Sequence, residues 1–238
     1  VSSSYNTAVH AYSEDVTLTN GITLQGRWAV INGVAGTTWT RNAARTRLRN
    51  TTATGVKFPA GLGATTVLEG FNIDRANPGI GGNGRWAGIT ITQSGPTLRD
   101  FDVGLPTVAV GNPTEAIGID VSGTATTPAT PTFSGNPTGG ASTVSAGPGQ
   151  TTSIGLAAVF ARVTVTGVDF SAGSANTLSE GVGLVNGAGS TFQRGTYAAG
   201  AAGACIGLAS SGDATGVRVE GVTLTGCPQV PNVLNPPS

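Results

Sequence analysis

Methionine is absent from this chain, and histidine and lysine occur once each, at His10 and Lys57. There are two cysteines, and only 10% of the 238 residues are charged. Each shortage excludes something. One His and two Cys do not furnish a zinc centre, which takes four protein or water ligands. No metal site and no cofactor are expected, although calcium held between loop carboxylates stays open. No apolar run reaches the ~18 residues of a membrane-spanning helix, so no transmembrane segment is expected. Twelve basic residues balance twelve acidic ones, so net charge supplies no general pull towards nucleic acid. No Gly-x-x-x-x-Gly-Lys run offers a phosphate-binding loop. With no Met, the chain opens on Val1, which reads as a processed chain or an excised fragment.

What the chain has is glycine, 38 of them, and short alternating runs, the period-2 signature of strands. Gly88-Ile89-Thr90-Ile91, Ala116-Ile117-Gly118-Ile119, Ser153-Ile154-Gly155-Leu156, Gly181-Val182-Gly183-Leu184 and Cys205-Ile206-Gly207-Leu208 look alike, and a second run follows each. Aligned in this way they recur 28, 37, 28 and 24 residues apart, the period of a solenoid. The longest interval holds 122–152, rich in Thr, Pro and Gly, which reads as an extruded loop. The Asn20-Gly21 turn is expected to be a corner rather than a hairpin, Thr38 to Asn42 a loop, Arg45 to Arg49 a strand and Gly55 to Phe58 the next. Residues 1–15 are taken as an N-terminal cap or arm. Residues 228–238, with four Pro, are taken as a C-terminal tail, because Pro cannot continue a central strand.

The opening Tyr12-x-Glu14-x-Val16-x-Leu18, then Gly21-Ile22-x-Leu24-x-Gly26, and the unit Thr66-Val67-Leu68-Glu69-Gly70-Phe71-Asn72-Ile73 resemble the pectin-lyase-like right-handed parallel β-helix superfamily. Within it the chain is similar to exported bacterial surface proteins built from such repeats. The resemblance implies an all-β fold, one right-handed parallel β-helix of about seven or eight coils spanning 1–238. Its functional implication is broad, because that fold hosts lyases, hydrolases, esterases, adhesins and phage spikes.

In the aligned coils the residues flanking the inward Ile and Leu are expected to point outward. Gly88, Thr90, Ala116, Gly118, Ser153, Gly155, Gly181, Gly183 and Gly207 then form a nearly bare column. This reads as a docking face, for a neighbouring subunit or the chain's own tail, or as a tight bend. Cys205 and Cys227 are 22 residues apart, about one coil. Layers stack about 4.8 Å apart, within the about 4.4–6.8 Å that a disulfide spans between Cα atoms. A bridge is expected, stapling the last coil and placing the chain in an oxidising compartment.

Chemistry is thinly represented. The same alignment puts Asn72, Asp102, Pro137, Asp169, Thr196 and Thr223 in one outward column. Asp102 and Asp169 would sit two coils apart, about 9.6 Å, near the about 6.5–9.5 Å between the carboxyls of inverting glycosidases. Solvated or turn-stabilising carboxylates are the plainer reading, and the paired-Asp and Gly-His-Gly signatures of polygalacturonase-like members are missing. Arg41, Arg45, Arg47, Arg49 and Lys57 make a basic patch suited to an anionic polysaccharide, or simply a solvated face. Arg49, Glu69, Arg99, Ser134, Thr166, Gln193 and Glu220 form a second column, read as an ion-pair ladder that sets register. The expectation is a non-enzymatic extracellular or cell-surface structural protein, exported after signal-peptide removal. It is adhesin-like or self-assembles into a fibre, and its partner is itself, with a glycan or other cell-surface ligand as the alternative. A polysaccharide-active enzyme, hydrolase or lyase, with an acidic face is the alternative function.

Overall fold

The computed structural model describes residues 11–12, 15–31, 38–41, 45–50, 54–75, 84–105, 113–136 and 140–226. Over these residues the chain is all-β, a parallel β-solenoid. One sheet, the first face, stacks seven strands: Val16–Thr17, Thr54–Phe58, Arg85–Thr92, Glu115–Ser122, Thr152–Val159, Leu178–Val185 and Ala204–Ser211. A 13-stranded sheet folds into two further faces. The second face begins Thr23–Gln25, Val67–Glu69, Thr97–Arg99, Thr132–Ser134 and Thr164–Thr166. The third runs Ala11–Tyr12, Thr46–Asn50, Phe71–Arg75, Asp102–Gly104, Ser142–Ser145 and Val168–Ser171. Thr191–Ala198 and Arg218–Thr225 are long enough to serve both. Five first-face strands, from Arg85–Thr92 onward, have eight residues each and define about five regular turns. The count is slightly below expectation because the first coils are shorter-stranded.

Most coils turn these corners on single residues in the left-handed region. Gln93, Phe160, Asn186 and Gly212 lie between the first and second faces, and Gly70, Asp100, Gly167, Arg194 and Gly221 between the second and third. Inward side chains stack coil on coil. Leu68, Leu98, Phe133, Val165 and Phe192 line the second face and Ile73, Val103, Val144, Phe170 and Tyr197 the third, all buried. No coil can bury this surface alone, so neighbours supply the core. Asn20-Gly21 is a corner, as expected, with Gly63 N–H donating to Asn20 Oδ1 at 3.1 Å.

Three expectations change. Thr38–Arg41 is not a loop: it pairs antiparallel with Trp28–Ile31, a hairpin inserted at the second-to-third corner of the first coil. The segment 122–152 is not simply extruded, since it supplies Thr132–Ser134 and Ser142–Ser145, whose Phe133 and Val144 are buried. The first-face register also departs by two residues in three coils. Ile89 pairs with Ile119 rather than Ile117, and Leu156 pairs with Val182. The stacked positions are therefore Ile89, Ile119, Leu156, Val182 and Leu208. Of the expected cap, 1–10 and 13–14 lie outside the described residues, as does the tail 228–238.

The expected docking column does not face outward. Gly88, Gly118, Gly155, Gly181 and Gly207 are buried and point towards the third face. A Cβ on Gly88 or Gly118 would collide with Val103 or Val144, and one on Gly181 with the backbone at Tyr197 and Ala198. Ala116 and Ser153 are buried in the next inward column, where Ser153 Oγ donates to Gly147 O at 2.6 Å and accepts from Gly173 N–H at 2.8 Å. Only Thr90 and Gly183 of that set reach the outer surface. The glycines are there because two faces converge where no side chain fits.

Candidate functional site

Asp102 and Asp169 do share a third-face column, with Asn72 below and Thr143 between them. Thr143, not Pro137, holds the intermediate position, and Pro137 lies outside the described residues. Both carboxylates are engaged. Asp102 takes the Arg45 guanidinium on Oδ2, while its Oδ1 accepts from Thr143 N–H and Oγ1–H, each at 2.9 Å. Asp169 Oδ1 accepts the Thr196 N–H at 2.7 Å. These bonds tie successive layers together.

The expected basic patch is split and largely neutralised. Arg47 and Arg49 both bind Asp74. Arg45 binds Asp100 as well as Asp102. Arg27 reaches Asp100 from the other side, its Nε 2.6 Å from Oδ2. Lys57 is exposed on the first face, away from these arginines, and the Arg41 side chain lies outside the described residues. The ladder column holds from Glu69 to Glu220, with Arg99 Nε 2.7 Å from Glu69 Oε2. Its first member is Gln25; Arg49 belongs to the third face.

Asp100 anchors the inserted hairpin. It is a buried corner residue in the third coil. Arg27 and Arg45 flank the hairpin in the first coil, and each crosses a whole layer to reach it. Gly70, the corner of the layer between, makes this passage possible: a Cβ there would stand 3.1 Å from Arg27 Cγ.

A concave site that sequence reading missed lies outside the first face. Its floor is Ile117, Ile154 and Glu180 beside Ala157, Gly183 and Ala209, with Ile206 and Asp120 continuing these two columns beyond it. It encloses about 310 Å³, with Val159 and Val185 on one side and Arg85 and Glu115 at one end. Glu180 occupies a place that three other coils give to isoleucine, and its carboxylate lies over Gly183, where a Cβ would strike it. No described group bonds or pairs with Glu180. Burial pushes its carboxyl above the usual range, because the charged form loses water without gaining a partner. Burial raises the Asp120 carboxyl too, outweighing the Arg85 guanidinium 2.8 Å away. The signal was present in the sequence, as one acidic residue in an isoleucine ladder, but the shifted alignment put Val182 in its place.

Both ends of the described solenoid present strand edges. Ala204–Ser211 ends the first face, and Arg218–Thr225 pairs with Thr191–Ala198 as the last described strand of the other sheet. Val217, Val222 and Leu224 there are only partly buried, and Val219 is 37% exposed. At the other end Ile22 is 47% exposed beside Thr23–Gln25. Cys205 is buried in the column of Trp86, Ala116, Ser153 and Ser179. Cys227 lies outside the described residues, so the Cys205–Cys227 bridge stands as a proposal. Among the described residues no helix is long and apolar enough to cross a membrane, and no three His, Cys, Asp or Glu side chains gather as a metal ion needs.

No family model, no curated protein and no solved structure matches this chain.

Proposed function

We propose that the protein is a non-enzymatic extracellular or cell-surface structural protein whose solenoids stack end to end into a fibre, in the manner of the surface-exposed members of the pectin-lyase-like superfamily that its repeats resemble. The observation that carries this reading is the pair of described ends. Each ends the stack on a parallel strand, a template for another chain, and each leaves an apolar residue, Val219 or Ile22, exposed among the described residues. The two ends differ, so the contact is head-to-tail and propagates rather than closing. The partner is a second copy of this chain. Light scattering over a concentration series, with negative-stain microscopy, tests this. Growing particle size that Val219→Lys or Ile22→Lys prevents is the expected result; a strict monomer at high concentration overturns it.

The second reading, a polysaccharide-active enzyme, draws support from the first-face groove and moves the candidate carboxyls from Asp102 and Asp169 to Asp120 and Glu180. A screen against polyuronides and other glycans separates the two. Turnover that Glu180→Gln abolishes in a folded variant would replace the first reading with the second.

A further inference from the structure

A second concavity of about 390 Å³ opens where the last two coils turn from the first face to the second, lined by Arg162, Gly189, Thr191, Gln193, Gly216, Arg218 and Glu220. Its floor is almost bare. Gly189 and Gly216 stack in successive coils, both in the left-handed region (φ 74° and 71°). Arg162 is exposed, and its Nε donates to Gly189 O at 3.2 Å. That bond fixes the guanidinium plane against the corner and leaves the two terminal nitrogens as donors. Arg218 is exposed one coil beyond Thr191, with which it pairs in register. Neither arginine has a carboxylate partner among the described residues. They share this with Arg194, whereas Arg27, Arg45, Arg47, Arg49, Arg85 and Arg99 are all ion-paired; what distinguishes Arg162 and Arg218 is that both line one cleft. The one acid lining the cleft, Glu220, accepts from Gln193 Nε2 at 3.0 Å. Two guanidinium groups against one occupied carboxylate leave the cleft positive.

We propose that this cleft binds a tetrahedral oxyanion, phosphate or sulfate, either free or as an ester on a larger molecule. Planar guanidinium forks match such anions, and charge-assisted hydrogen bonds are about twice as strong as neutral ones. The Thr191 hydroxyl adds a neutral donor between the two forks, and the paired glycines leave room for the anion to approach the backbone. The site is separate from the first-face groove, but Arg218 and Glu220 flank Val219 on the strand proposed for assembly, so the titration is repeated in the Val219→Lys background, where binding should persist.

Calorimetric titration of the full chain with inorganic phosphate and inorganic sulfate at low ionic strength tests it. Saturable one-to-one binding is expected, weakened about tenfold, or 1.4 kcal/mol, by Arg162→Gln and by Arg218→Gln. Arg194→Gln, which removes an exposed charge that does not line the cleft, should leave it unchanged. Unchanged melting temperatures confirm that the variants fold. Absence of saturation, or equal weakening by Arg194→Gln, overturns the site. A sulfated oligosaccharide in a second arm identifies the source. Tighter binding than inorganic sulfate, lost in both cleft variants, assigns the ester form, and no gain assigns the free anion.

Discussion

Tyr197 carries a hydroxyl into the core with no hydrogen-bond partner among the described residues. Its ring packs edge-on against Phe170 and Phe192, with centroids 5.6 and 5.7 Å away, and burial drives its phenol far above the usual range. A buried donor without an acceptor costs about 1–3 kcal/mol. Tyr197→Phe should therefore raise stability by about 1 kcal/mol, read as a higher urea midpoint at unchanged slope. Glu180 makes the opposite kind of error, a charge where isoleucine belongs. Its folded-state carboxyl holds a proton more tightly than the unfolded chain does. The destabilisation is thus absent in acid below the unfolded value and develops as pH rises through the raised folded value. Glu180→Gln should raise the melting temperature near neutral pH and leave it unchanged in mild acid, with Arg85, Glu115 and Asp120 as the other charges of the groove. An equal gain at both pH values would remove ionisation as the cause. Neither residue was singled out in the sequence. Tyr197 looks like any alternating aromatic, and Glu180 is recognisable only once Leu156 is known to pair with Val182.

At the scale of the strand, period-2 alternation was legible, and so was the corner at Asn20-Gly21. What alternation cannot supply is the phase between coils. Gly155 and Gly183 looked interchangeable in the repeat, yet the register puts one inside and one outside. A Cβ on Gly155 meets Gly181 O and the backbone at Ser171, while one on Gly183 meets mainly the mobile end of Glu180. Gly155→Ala should cost about 1–3 kcal/mol, as overpacking does. Gly183→Ala should stay within about 0.5 kcal/mol, as surface changes do. Comparable losses at both sites, measured by chemical denaturation, would contradict this register. The hairpin of Trp28–Ile31 and Thr38–Arg41 was missed for a related reason. It is an insertion into a corner, and nothing in its residues marks them as standing outside the repeat.

For the whole molecule, solenoid architecture followed from the repeat itself, because self-similarity at a coil-length period leaves few other folds. The ends were harder, since what covers a terminal coil is set by residues that do not repeat. The proposed Cys205–Cys227 bridge belongs to this scale. The unfolded protein should show no reactive thiol without reductant and two with it. Reduction should lower stability by about 3 kcal/mol, the value for a closed loop of such length. Free thiols in the unreduced protein would remove the bridge and the argument it carries for an oxidising compartment.

The Asp100 clamp has a consequence for how the solenoid comes apart. In a one-dimensional array, stability is a sum of terms between adjacent repeats, and melting proceeds from the ends one unit at a time. Arg27 and Arg45 break that rule, because their charges in the first coil are satisfied only in the third. Opening the first coil strands a buried carboxylate, a loss of about 3–5 kcal/mol, so the first three coils should exchange their amide hydrogens as one block. Asp100→Asn should dissolve the block, replacing a single step with a gradient of protection rising from the N-terminal end.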